Sequence, residues 1–220
     1  MRLTIFIPLL LLLTGSVFTS SCTTDTETEL PFDYELTEVA TSQYQWTGIA
    51  VTPDDRMFVC FPNWSNRGPQ SVARLDTAGR AVAYPNQQWN DWTPEKDPAE
   101  HFVCVQSVVM GADGYLWILD PANPRFEGVI EGGPKLLKVD LQTDSIVTRY
   151  YFTEPTILPN SYLNDVRIDT TNNVAYITDS GEGALIVLDL SNGGTRRLLT
   201  DHPSTQADTI TLTIGGQPWI

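Results

Sequence analysis

The sequence predicts an all-β chain built of repeated four-stranded blades packed around a shared axis, and three observations carry that prediction. The stretch Asn164 to Asp179, NDVRIDTTNNVAYITD, restates a pattern found 59 residues earlier in QSVVMGADGYLWILD and 59 earlier again in GIAVTPDDRMFVC. Turn residues Asp54, Asp113 and Asn172 fall in register, as do the aromatics Phe58, Trp117 and Tyr176. Each copy consists of two apolar runs joined by an Asp/Asn/Gly turn, which is the pattern of an antiparallel hairpin. A second hairpin follows each copy: SVARLDTAGRAVAYP, KLLKVDLQTDSIVTRYYF and ALIVLDLSNGGTRRLL, whose first strands end in Asp76, Asp140 and Asp189. Four strands per unit at this period match the blade of a β-propeller. No long stretch keeps a helical period, while aromatic and β-branched residues crowd the runs, so helical classes are excluded.

Taken in order, residues 1–21 carry one charge, Arg2, then an apolar core from Leu3 to Leu13, then small polar residues up to Ser21. The core is too short to span a bilayer as a stop-transfer helix and reads as a secretory signal peptide. Thr19, Ser20 and Ser21 lead into Cys22 and resemble the lipobox of bacterial lipoproteins, although Thr19 stands where an aliphatic residue is usual. That resemblance implies cleavage before Cys22, a lipid on its thiol, and a place in the cell envelope with membrane contact only through the anchor. Residues 22–31 are polar and acidic and predict a disordered tether. The partial propeller then runs over 32–220, beginning with one outer strand between Phe32 and Gln45. Blades follow at about 46–85, 104–152 and 163–199, with the start of a fourth at 208–220 around DTITLTIGG. Three blades cannot close a ring, so the expectation is a fragment of a longer propeller, with the missing blades supplied by a longer chain or a partner.

Composition narrows the partners. The chain has 13 basic against 27 acidic residues, and signal removal would take away only Arg2 from that balance. No basic stripe exists to contact phosphates, so nucleic-acid binding is excluded. An acidic surface can attract cationic ligands, or simply keep the protein soluble. With Cys22 lipidated, Cys60 and Cys104 remain. They end and begin neighbouring strands on one face. A disulfide between them would stabilise by roughly 4 kcal/mol, and two buried free thiols are the other reading. His101 and His202 complete no zinc spacing, and neither sits as a general base would. There is no GxSxG elbow or phosphate-cradling glycine loop.

Between and within the hairpins, RMFVCFPNW, YPNQQW, GADGYLWILDPAN, KLLKVDLQTDSIVTRYYF, SYLNDVRID and YITDSGEGALIVLDL occur in an order and spacing that resembles the yellow and major royal jelly protein family. The similarity runs from about Trp46 to Leu199 and reads as that of a bacterial member. It implies a six-bladed, secreted propeller with a small-molecule pocket at one end of its central channel. Insect members bind biogenic amines or act in melanin-related chemistry such as dopachrome conversion, so the family implies the fold more firmly than the function.

The innermost strand of each blade begins beside the channel, and the gapless register aligns Trp46, Val105 and Asn164, then Thr47, Gln106 and Asp165. Trp46, Thr47, Gln106, Asn164 and Asp165 are therefore the candidate ligand-binding residues. Asn164 and Asp165 would offer a carbonyl and a carboxylate to a cationic or aromatic small molecule, or to a metal ion. The same NDxxxD run resembles the calcium-dependent lactonases of the gluconolactonase and SMP-30 type, in which the ion would polarise a lactone carbonyl. The glutamate expected at the start of the first blade is absent, because Trp46 and Thr47 stand there. No other cofactor and no catalytic residue is indicated. The readings are thus a ligand-binding propeller, a calcium-dependent hydrolase, or a non-catalytic scaffold.

Overall fold

A computed structural model describes residues 35–65 and 68–219. The expected signal peptide, Cys22, and the acidic tether lie outside the described residues. The chain divides into two units, Met1–Thr37 and Glu38–Ile220. Of the first, only Glu35–Thr37 are described, and they are exposed and irregular. The outer strand expected before Trp46 does not form among its described residues, where the chain runs without strand pairing.

In the second unit every predicted hairpin is present. Blade 1 contains β1 (Gly48–Val51), β2 (Met57–Cys60), β3 (Val72–Leu75) and β4 (Ala81–Ala83). Blade 2 contains β5 (Ser107–Met110), β6 (Leu116–Asp120), β7 (Lys135–Asp140) and β8 (Ser145–Tyr151). Blade 3 contains β9 (Leu163–Asp169), β10 (Val174–Asp179), β11 (Ala184–Asp189) and β12 (Thr195–Leu198). Each is an antiparallel meander in chain order. An exposed hairpin follows, β13 (Leu212–Ile214) with β14 (Gln217–Trp219), and one helical turn, α1 (Gln87–Asn90), links blades 1 and 2. β5 lies beside both β1 and β9, so the first strand of every blade is innermost.

The alternation within strands explains why the blades stack. On β6, Leu116 and Ile118 pack toward blade 1 with Phe58, Cys60 and Val72, while Trp117 and Leu119 pack toward blade 3 with Ile177 and Ile186. Both faces of β6 are therefore buried, which is why its sequence is a continuous apolar run rather than an alternating one. The repeated aromatic always faces the following blade: Phe58 faces blade 2, Trp117 faces blade 3, and Tyr176 is 41% exposed on the outer face of blade 3. Tyrosines reinforce these seams, Tyr84 Oη donating to Asp144 Oδ1 at 2.9 Å and Tyr150 Oη to the Leu190 carbonyl at 2.8 Å.

Aspartates set the turns. Asp76, Asp140 and Asp189 each accept the backbone N–H two residues on, at 2.9, 2.8 and 2.8 Å, closing the β3–β4, β7–β8 and β11–β12 turns. A further pair of aspartates fastens the entries to two of the three inner strands. Asp120 accepts from the Val103, Cys104 and Ala122 amides and from Lys135 Nζ at 2.8 Å, with both side chains of that ion pair fully buried. Asp179, one period later, accepts from Ser161 Oγ, the Tyr162 and Gly181 amides, and Arg197. These two latches hold the segments that lead into β5 and β9.

Candidate ligand site at the inner-strand rim

The inner strands do not align as the gapless register predicts. Ala50 pairs with Phe58 and Val109 with Trp117, but Arg167, not Ile168, pairs with Tyr176. Seven residues separate Ala50 from Phe58 and Val109 from Trp117, but eight separate Arg167 from Tyr176, so β9 is displaced by one position. Side-chain facing has period two, and the unshifted register would aim Arg167 into the seam with blade 2. The displacement places Val166, 1% exposed, in that seam instead. Thr47, Gln106 and Asn164 therefore form one layer, and Gly48, Ser107 and Asp165 the next.

Hydrogen bonds run along these layers. Thr47 Oγ1 (2.9 Å) and Cys60 Sγ (3.2 Å) both donate to the Gln106 carbonyl, clamping blade 1 to blade 2. Gln106 Nε2 donates to Asn164 Oδ1 at 3.1 Å. In the second layer Ser107 Oγ donates to Asp165 Oδ1 at 3.0 Å. Gly48 completes that layer because a Cβ there would sit 2.9 Å from Cys60 Sγ and 3.1 Å from the Val108 nitrogen, too close for any side chain. Behind the first layer Tyr162 Oη donates to Gln106 Oε1 at 2.8 Å and accepts from Trp64 Nε1 at 2.6 Å. Burial raises the Tyr162 hydroxyl well above the usual phenol range, so it stays protonated and able to donate.

A cavity of about 380 Å³ follows this rim, lined by Thr47, Gln106, Ser107, Asn164, Asp165 and Arg167 with an apolar floor of Ile49, Val108 and Val109. Four of the five predicted residues thus converge. Trp46 does not: it packs against Phe61, ring centroids 6.0 Å apart, on the other face of blade 1, where it lines an apolar recess with Val39 and Leu75. Ser107, Arg167, Tyr162 and Trp64 join the site without having been singled out. Ser107 and Arg167 lay within the repeat but were hidden by the one-residue displacement, whereas Trp64 lies in the β2–β3 loop of blade 1, with no periodic signal.

Cys60 and Cys104 are free and buried, correcting the expected disulfide. Their sulfurs serve different neighbourhoods, Cys60 in the seam between blades 1 and 2 and Cys104 beside Tyr162, 3.8 Å from its Oη. Burial pushes the two thiols up to about 11 and about 12.

The groups expected to hold a cation are already engaged. Asp165 Oδ1 accepts from Ser107 and from the Val166 amide, Oδ2 pairs with Arg167 at 2.8 Å, and Asn164 Oδ1 accepts from Gln106. Calcium takes about six to eight oxygen ligands. Asp165 is the one carboxylate lining this cavity, and among the described residues no three His, Cys, Asp or Glu side chains converge on a metal position. The residues present therefore do not fit calcium.

Among solved structures, the chain is similar to virginiamycin B lyase from Staphylococcus aureus at 14% identity and TM-score 0.44, over 70% of this chain and 40% of that one. It is also similar to an auxiliary nutrient binding protein from Bacteroides thetaiotaomicron, at 11% identity and TM-score 0.48, over 82% of this chain and 37% of that one. Hydrazine synthase of Kuenenia stuttgartiensis gives 17% identity and TM-score 0.42, over 76% of this chain and 38% of that one. The chain spans less than half the length of each of these structures. No curated protein matches it in sequence. The family described as Major royal jelly protein matches residues 103–219, which takes in blades 2 and 3 and the hairpin beyond them. With more than half of its length matched, and with the blade architecture its repeats predict, the chain belongs to the major royal jelly protein family.

Proposed function

We propose that this protein is an exported, lipid-anchored, non-catalytic binding protein that takes a small molecule at the rim of its inner strands. What supports the reading is the cross-linked wall of Thr47, Gln106, Ser107, Asn164 and Asp165, drawn from three blades and standing over an apolar floor. Polar side chains fixed at one edge of an apolar cavity are what small-molecule sites require. Neither histidine reaches this rim, and the hydroxyl–carboxylate pair that stands there, Ser107 on Asp165, shares its carboxylate with Arg167. His101 Nδ1 contacts the Asp97 carbonyl at 2.8 Å, and His202 Nδ1 contacts Ser204 Oγ at 2.8 Å.

Calorimetry and thermal shift across a panel of amines, carboxylates, sugars and lactones test the proposal. Binding by the wild type that falls at least about tenfold in Asn164→Ala is the expected result. A flat panel would favour the scaffold reading, and calcium-dependent lactone turnover would restore the hydrolase. The anchor is tested separately. Radiolabelled palmitate should enter the wild type and not Cys22→Ser.

A further inference from the structure

We infer that the rim recognises a hydrogen-bond acceptor, a carbonyl or carboxylate oxygen on an apolar body, and that Trp64 is the positioning residue that sets this preference. The inference rests on the proposed ligand site and names the class of molecule it takes. An indole N–H can only donate, so Trp64 Nε1, 2.6 Å from Tyr162 Oη, fixes the tyrosine oxygen as an acceptor at that contact. The single Tyr162 proton then goes to Gln106 Oε1 at 2.8 Å. With its oxygen taken, Gln106 must turn its NH2 toward Asn164, whose Oδ1 accepts at 3.1 Å. Asn164 has spent its carbonyl on the protein, and its NH2 is the group left for the cavity.

Reversing this order would send the Tyr162 proton to Cys104 Sγ, 3.8 Å away and a weak acceptor. The direction of the relay is therefore set by Trp64, two side chains behind the cavity-lining Gln106. The second layer leads to the same result. Both Asp165 oxygens are engaged by donors from the protein, while Arg167, on the same lining, has a side chain 73% exposed and carries further N–H groups. Asn164 and Arg167 thus present donors, and an ammonium head placed there would meet an NH2 and a guanidinium, whereas the Thr47 and Ser107 hydroxyls, their protons given to the protein, retain only lone pairs. Ile49, 62% exposed, and the half-buried Val109 supply the surface for the apolar body.

The test uses three probes on one skeleton: 3-phenylpropanoate, 3-phenylpropanamide and 3-phenylpropylamine, titrated into the full chain by calorimetry. The wild type is expected to bind the carboxylate and the amide at least about tenfold more tightly than the amine. Asn164→Asp keeps the oxygen that Gln106 needs but replaces the NH2 with a second oxygen, and should reverse the order. Trp64→Phe should narrow the ratio between carboxylate and amine, a readout that loss of packing alone would not move. Tyr162→Phe, which frees Gln106 to turn over, should narrow it as well. Preference for the amine in the wild type would overturn the inference while leaving the binding site in place. An unchanged ratio in both Trp64→Phe and Tyr162→Phe would remove Trp64 from its role. Binding of none of the three, with a flat wider panel, would overturn the site and the inference together.

Discussion

At the scale of single residues, the carboxylates that matter most are those that no solvent reaches. Asp179 is buried, and burial alone would raise its pKa, but the hydrogen bonds from Ser161, Arg197 and the Tyr162 and Glu182 amides outweigh that cost and hold it below the usual carboxylate value. A depressed folded-state pKa stabilises above the unfolded value and loses that stabilisation as pH falls through the folded one. Asp179→Asn should therefore unfold more easily than the wild type at pH 7, by about 1 to 3 kcal/mol. That gap should close as the pH is taken below the ordinary carboxylate value of 3.8, as followed by urea denaturation across a pH series. A gap constant with pH would mean the charge is not what matters. Asp120 and Asp179 stand one repeat apart in the sequence, so their shared role was there to be seen. The partner of Asp120 was not, because Lys135 opens the strand after it and only folding shows the two ends meeting. The Tyr162 relay was equally hidden, since its members come from three separate blades and loops.

At the scale of elements, one column of the repeat meets two different environments. Phe58 and Trp117 are sealed in seams, while Tyr176 occupies the same place on a face that no described blade covers. Truncating a buried Trp costs about 3 to 5 kcal/mol, and truncating a half-exposed tyrosine costs far less. Trp117→Ala should accordingly lose several kcal/mol in chemical denaturation, and Tyr176→Ala less than about 1 kcal/mol. Equal losses would show that Tyr176 is covered in solution. Hairpins, turn aspartates and blade order could all be read from periodicity, because each depends on neighbours in the chain. The placement of β9 could not, since it turns on the cost of burying Arg167 against a blade 59 residues away. Trp46 was misplaced for the related reason that a shared repeat position does not dictate which side of the blade a side chain reaches.

At the scale of the whole molecule, stability is concentrated in the middle. Blade 2 contributes to both interblade cores, and β6 is buried at every residue. Native-state amide exchange should be slowest in β6 and β7 and faster in β4 and β12, because opening the central strands exposes both cores at once. Uniform exchange across the blades would mean that each opens independently. The family and the blade architecture were legible from the order of motifs along the chain. The donor and acceptor roles of the rim were not, because they depend on which way each amide faces.

The additional residue between Arg167 and Tyr176 makes parity the rule for that hairpin. Deleting one residue there would turn Val166 outward and a guanidinium inward, whatever the chemistry of the deleted side chain. Adding two would preserve the facing but carry Asp165 out of reach of Ser107. The polar groups at one end of β9 are thus tuned by counting at the other end, several residues from anything a bound molecule would touch.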